Sequence, residues 1–137
     1  MILSEAMGSA MDLTLQVLTS AGLVDGLQLG PEDITAETNP MCWPIQVEDK
    51  EASSKERYAT YAIGSLDPYT WTDNDAATYK ASMIIEVFSR KRYDPIIDAI
   101  DAAFIAGGWR FSFVAMGYDN RSRIYSYTFR AEAVIGD

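Results

Sequence analysis

Apolar residues near the N-terminus recur at the three- and four-residue spacing of one helical face. Within residues 2–21 this face carries Leu3, Met7, Met11, Leu15 and Leu18, and it is widened by the flanking residues Ala6, Ala10, Leu13 and Val17. The pattern predicts an amphipathic helix whose methionine-containing stripe packs into the core. Gly22 is expected to end the helix, because glycine takes the left-handed conformation without steric cost.

The apolar spacing changes to two in the middle of the chain. Residues 79–88 place Tyr79, Ala81, Met83, Ile85 and Val87 on one face. This alternation predicts a strand, and residues 58–63 predict a second one. The polar residues 64–78 between them, which contain Asp67-Pro68 and Asp73-Asn74, predict a connection that forms a long hairpin arm. Ile84 and Phe88 indicate that the second face is also partly covered.

A second helix is predicted after this hairpin. Asp94 is a suitable N-cap, Pro95 suits the first helical position, and Gly107-Gly108 is expected to end the helix. The predicted buried side consists of Ile96, Ile97, Ile100, Ala103 and Phe104. Asp98 and Asp101 lie on the opposite face, where we expect solvent.

Two further segments alternate and complete the predicted fold. Residues 109–115 carry Trp109, Phe111, Phe113 and Ala115 on one face, and residues 125–133 carry Tyr125, Tyr127, Phe129, Ala131 and Ala133. Asp119-Asn120 is a turn signal between them. We therefore predict an α+β fold: an N-terminal helix, an antiparallel sheet of about four strands with a long hairpin arm, and one helix packed on the sheet as a two-layer sandwich.

The length of 137 residues is expected to form a single domain. Residues 1–22 form its helix, residues 23–57 a loop-rich segment and residues 58–137 a ββαββ body. The loop-rich segment is interrupted by three X-Pro pairs and has one short extended piece, residues 41–47. Residues 48–57 are charged and are expected to be a solvated excursion.

Composition narrows the range of functions that the chain is expected to have. Twenty acidic and eleven basic residues give a net charge of −9, which disfavours wrapping by nucleic acid. The chain has no histidine, and Cys42 is its one cysteine, so we expect no intrachain disulfide, thiolate metal cage, cofactor or catalysis. No apolar run spans a bilayer and no secretory signal is expected.

Three residue groups are candidates for function. Asp73 and Asp75, with Asp67 nearby, could ligate a hard cation, but their spacing does not fit a calcium loop and we expect no metal. Ser89 is followed by a basic run that consists of Arg90, Lys91 and Arg92. This run is either a solvated corner or a contact surface for an acidic neighbour, including another copy of this chain. Tyr69 and Trp71, in the arm, either anchor an interface or cap the core.

The order of helix, long loop, strand, arm, strand, helix and hairpin resembles the tail terminator and tail-completion (head–tail joining) family of long-tailed bacteriophages. The resemblance lies in residues 58–61 (Tyr-Ala-Thr-Tyr), the strand 79–88 running into residues 89–92, the helix 95–106 and the closing strand 125–133. These motifs are short, and residues 26–57 contain no motif that aligns with this family.

The resemblance implies a hexameric ring that caps the tail tube and meets the head connector proteins. DNA would pass through the lumen without specific binding, and the protein would be part of the virion neck, assembled in the host cytoplasm. Two alternatives stay open: a minor tail or tube subunit of the same particle, and a small α+β ligand-binding domain.

Overall fold

A computed structural model of the chain describes residues 1–21, 42–43, 57–92 and 95–136. Its elements, in chain order, are α1 (Leu3–Ser20), β1 (Cys42–Trp43), β2 (Arg57–Thr72), β3 (Asp75–Ser89), α2 (Pro95–Ala106), β4 (Arg110–Asp119) and β5 (Ile124–Gly136). The strands form one sheet in the order β1-β2-β3-β5-β4. The four long strands pair antiparallel, and the two-residue β1 pairs parallel with β2. The predicted α+β fold is confirmed.

Part of the sequence prediction falls outside the described residues. Of the extended piece at residues 41–47, the described Cys42 and Trp43 form β1. The predicted N-cap Asp94, the helix stop Gly22 and the charged run before β2 lie outside the described residues.

The arm is a continuous two-stranded ladder, which corrects the predicted connection at residues 64–78. β2 and β3 pair from Arg57 and Ser89 to Thr72 and Asp75, with three register shifts on the way. The only residues left between them are Asp73 and Asn74, at φ 50° and 70°. Asp and Asn tolerate the left-handed conformation that a two-residue hairpin turn requires. The ladder also satisfies backbone groups that a polar loop would leave to water.

The core lies on one face of the sheet, beneath both helices. Alternate residues of β3 (Ala81, Met83, Ile85 and Val87) are fully buried. Leu18 of α1 and Ile100 and Phe104 of α2 are fully buried in the same cluster. Burial of each large apolar side chain contributes about 1.5–3 kcal/mol. On the other face Ile84 and Phe88 are half-buried, as the pattern predicted.

α1 packs through smaller residues than its apolar stripe predicted. Its buried positions are four apart and start with small side chains: Ala6, Ala10, Thr14 and Leu18. The Thr14 hydroxyl donates to the Ala10 carbonyl oxygen at 2.8 Å, so it is buried without an unmet hydrogen bond. Leu3 and Met7 are exposed instead. The stripe prediction was therefore wrong for Leu3 and Met7 and right for its flanking Ala6 and Ala10. Small residues along one row let a helix approach its neighbours closely.

β4 departs from its predicted alternation at one position. The register with β5 shifts between Phe113 and Ala115, so that Phe113 opposes Phe129 and Met116 opposes Tyr127. The shift removes Ala115 from the aromatic face and places Met116 there. The predicted burial of the face was correct for Phe111, which stacks on Phe104, and wrong for Phe113, which is 60% exposed.

Candidate interaction surfaces

The end of the arm presents two large aromatic side chains to solvent. We define the arm tip as residues 69–75, all of which are exposed. Tyr69 is 54% exposed and Trp71 63% exposed. More than half of each side chain is therefore accessible to a partner.

The base of the arm tip is anchored to the body. The Thr70 and Thr78 hydroxyl oxygens lie 2.7 Å apart across the ladder. The N-terminal ammonium of Met1 donates to the Ala76 carbonyl oxygen at 3.0 Å. Ala76 also packs in a small buried cluster with Ala6 and Tyr79. The tip is therefore held by α1 and by its own ladder, which reduces the conformational entropy lost when it binds a partner.

The acidic residues of the arm differ in their surroundings. Asp73 and Asp75 belong to the arm tip, which contains no basic residue. Asp67 lies further back, and its ladder partner is Lys80, whose Nζ is also 3.7 Å from Glu132 Oε2. Within the described residues no three His, Cys, Asp or Glu side chains are grouped closely enough to hold a metal ion. The carboxylates of the tip are therefore candidates for contact with cationic groups of a partner.

The predicted basic corner is larger in the structure than in the sequence. Arg90, Lys91 and Arg92 are exposed at the end of β3. The Arg90 Nη1 donates to the Ser122 carbonyl oxygen at 3.2 Å, which places the β4–β5 turn beside the corner. That turn carries Arg121 and Arg123, which are also exposed. These five residues, Arg90, Lys91, Arg92, Arg121 and Arg123, are called the basic end below.

A buried hydroxyl shapes the corner itself. Ser89 is fully buried, and its Oγ donates to the Lys91 carbonyl oxygen at 3.0 Å and accepts from the Lys91 N–H at 3.2 Å. The chain is thereby turned immediately after β3. The turn leaves the Lys91 side chain exposed on the outside of the corner.

Asp119 holds the β4–β5 turn. Its Oδ1 accepts the Arg121 N–H at 2.9 Å, and its carbonyl oxygen accepts the Arg123 N–H at 2.7 Å. The Arg121 N–H, followed by the Ser122 hydroxyl, lowers the pKa of Asp119 below its usual 3.8. This carboxylate is thus engaged within its own turn.

The sequence did not indicate that Arg121 and Arg123 belong to this surface. β3 pairs with β5 so that Ser89 lies opposite Tyr125, which brings the β4–β5 turn to the end of β3. The β4–β5 turn lies near the end of β3 because of the order of strands in the sheet. That order depends on the whole chain and cannot be predicted from a short stretch of sequence. The turn signal at Asp119-Asn120 located the turn but not its neighbour.

A third surface lies between α2 and the edge strand β4. It is a groove of about 470 Å³, lined by Ile97, Asp98, Asp101, Phe111, Phe113, Met116, Tyr127 and Phe129. Its floor is apolar, and Asp98 and Asp101 are the exposed acidic residues on the helix side. On the side away from β5, β4 pairs with no other described strand.

The arm tip and the basic end lie at opposite ends of the same hairpin. β3, which has 15 residues, starts at Asp75 of the arm tip and ends directly before Arg90 of the basic end. At about 3.3 Å per residue the hairpin separates the two surfaces by roughly 45 Å. One copy of the chain therefore presents an acidic, aromatic end and, far from it, a basic end.

No protein-family model and no curated protein sequence matches this chain. Among the described residues no helix is both long enough and apolar enough to cross a membrane.

Proposed function

We propose that this chain is a structural assembly protein, a tail terminator that forms a hexameric ring on the tail tube of a long-tailed bacteriophage and joins it to the head connector proteins. The observation that carries the proposal is the arm tip, where Tyr69 and Trp71 are exposed on an anchored hairpin. Tyr and Trp are frequent anchors of protein interfaces. The tip extends past β5, whose pairing with β3 ends at Thr78 and Gly136, and this position suits contact with a neighbouring subunit or partner.

Two further features support an assembly role. The order of elements, a helix followed by the β2–β3 arm, α2 and the β4–β5 hairpin, is the order on which the resemblance to phage tail terminators rests. The net charge of −9 suits a ring through which DNA passes, since an acidic lumen repels phosphates. The absence of histidine removes the commonest general base, and we propose no catalytic role.

Electron microscopy of the purified chain, alone and mixed with polymerising phage tail tube protein, tests this function. We expect closed rings and tubes whose growth stops with a ring on the end. Trp71→Ala should abolish capping, because it removes the most exposed aromatic of the arm tip. Phe113→Ala is the matched control, since Phe113 is a 60% exposed aromatic on β4, away from both the arm tip and the basic end.

Other outcomes of this experiment contradict the proposal. Tubes that grow from the purified chain itself would identify a tube subunit. Incorporation along tubes without arrest of their growth would identify a minor tail protein. A chain that forms no rings and leaves tube growth unchanged is not a terminator.

The groove between α2 and β4 favours one different candidate, a small ligand-binding domain. Its volume is that of a small-molecule site, and its floor includes Phe111 and Phe129. Saturable binding of an apolar cation, weakened by Asp101→Asn while the arm variants bind normally, would support this candidate over the terminator.

A further inference from the structure

We infer that the arm tip of one copy docks on the basic end of a second copy, so that copies of the chain associate head to tail. The contact itself follows from the two surfaces described above. Its closure into a ring rests on the proposed function.

The charges of the two surfaces are complementary. The arm tip carries Asp73 and Asp75 and no basic residue, while the basic end holds five of the eleven basic residues of the chain. Asp119, on the β4–β5 turn, stays ionised and offsets one of these five positive charges. Charge-assisted contacts between carboxylates and guanidinium groups are stronger than neutral hydrogen bonds and select the partner.

The aromatic residues of the arm tip fit the same partner. A guanidinium group stacks on aromatic faces as well as pairing with carboxylates. Trp71 and Tyr69 lie within a few positions of Asp73 and Asp75, so one surface offers both kinds of arginine contact. The basic end is rich in arginine: four of its five residues, all except Lys91, carry guanidinium groups.

The two surfaces cannot meet within one chain. They stand roughly 45 Å apart at opposite ends of a paired hairpin. A contact between an arm tip and a basic end therefore joins two copies. When two copies are joined through two different surfaces, one arm tip and one basic end of the pair remain unoccupied. Further copies can therefore add until a ring closes or a filament forms.

The groove between α2 and β4 is a less suitable acceptor for the arm. Its apolar floor would accept an aromatic ring, but Asp98 and Asp101 would face the carboxylates of the incoming tip. Like charges brought together on docking oppose it. Nucleic acid is a less suitable occupant of the basic end, because a chain with a net charge of −9 repels phosphates.

Reciprocal charge reversal tests the contact. The tip variant is Asp73→Asn with Asp75→Lys, where asparagine tolerates the positive φ of 50°. The base variant is Lys91→Glu with Arg121→Glu, one change in each segment, with the Arg90 contact to Ser122 kept. Sedimentation velocity at low salt should show association weakened at least tenfold in each variant alone. Equal mixtures should associate more strongly than either variant alone, because the introduced lysine of the tip variant can meet the introduced glutamates of the base variant, while the unchanged acidic tip meets the unchanged basic end.

A control variant separates a local contact from a change in net charge. Asp98→Asn with Asp101→Lys alters the charge as much as the tip variant but lies on α2, and it should associate like the wild type. Zero-length coupling of carboxyls to amines adds a positional readout. In a mixture of isotopically light and heavy chains, Lys91 should couple to Asp73 or Asp75 of the other isotope.

Several results would overturn the inference. These are a wild type that stays monomeric at its highest soluble concentration in low salt, unmixed variants that associate normally, or mixtures that fail to recover. Retention of a DNA duplex that the base variant loses, with association unchanged, would assign the basic end to nucleic acid.

The failure of this inference is distinct from failure of the proposed function. Tip and base variants that still form closed rings and still cap tail tubes overturn the head-to-tail contact alone. Lys91 couplings in open filaments that leave tail tubes uncapped support the contact and contradict the terminator.

Discussion

The Arg90 guanidinium donates a hydrogen bond to the Ser122 carbonyl oxygen at 3.2 Å, across 32 positions of sequence. This contact joins the corner after β3 to the β4–β5 turn. Together with the β3–β5 pairing, it places the turn that carries Arg121 and Arg123 beside this corner, so two segments form one basic surface.

Removing this hydrogen bond should loosen the turn without unfolding the chain. Arg90→Met keeps most of the aliphatic stem and loses the donor. We expect the free energy of unfolding to change by less than about 1 kcal/mol, since the contact is exposed. Hydrogen exchange of the residue 120–123 amides should become faster. Arg110→Met, an exposed change at the other end of β4, should leave their exchange unchanged.

Phe104 is expected to be a main source of stability in α2. It is fully buried, stacks on Phe111 with ring centroids 4.8 Å apart, and meets Trp109 edge-on at 5.6 Å. Phe104→Ala should lower the free energy of unfolding by about 3–5 kcal/mol, measured by urea denaturation. Ile105→Ala is the neighbouring control: Ile105 is 59% exposed, and its loss should cost less than about 0.5 kcal/mol. Equal effects of the two changes would contradict the described core.

Two glycines with open surroundings should respond in opposite directions to alanine. An added Cβ meets nothing within 4 Å at Gly8 or at Gly108. Gly8 lies inside α1, so Gly8→Ala should raise stability by about 0.5–1 kcal/mol. Gly108 has φ +85°, so Gly108→Ala should lower it by about 1–2 kcal/mol. Because neither change creates a clash, the difference between them in thermal or urea unfolding measures backbone conformation alone.

Asp119 should make stability depend on acid pH. Its pKa is lowered chiefly by the Arg121 N–H, so the folded state favours the carboxylate. The resulting stabilisation is present above the usual value of 3.8 and is lost as the pH falls through the lower folded-state pKa. Urea titrations should therefore show wild-type stability falling more steeply below about pH 4 than that of Asp119→Asn.

Asp119→Ala distinguishes ionisation from hydrogen bonding at this turn. Asparagine keeps an acceptor for the Arg121 N–H, whereas alanine does not. Both variants should lose the same part of the acid dependence, and alanine should be the less stable of the two at pH 7. An acid dependence identical in all three proteins would show that Asp119 does not contribute.

Local pattern predicted elements better than it predicted contacts. The alternation of residues 79–88 and the helix 95–106 predicted β3 and α2, because side-chain period follows directly from strand and helix geometry. The arm was missed as a ladder, since Asp67-Pro68 and Gly64 suggested a loop. Strand pairing tolerated them through register shifts at residues 63–65 and 68–70.

The residues of the candidate surfaces also fall into those that the sequence indicated and those that only the structure brought together. The sequence indicated five candidate residues because they are aromatic or basic and lie outside the apolar pattern of the core. These are Tyr69, Trp71, Arg90, Lys91 and Arg92. Arg121 and Arg123 were not, because their membership in the basic end depends on the neighbour that β5 takes.

The sequence alone determined the α+β class, the positions of both helices and the identity of the aromatic and basic candidates. These follow from local periodicity, cap chemistry and composition, each of which acts over a few residues. Only the tertiary structure decided which face of α1 is buried, that the arm is a paired ladder, and that two basic segments form one end of the sheet opposite the arm tip. These depend on strand order and register, which are selected by packing and hydrogen bonding across the whole chain.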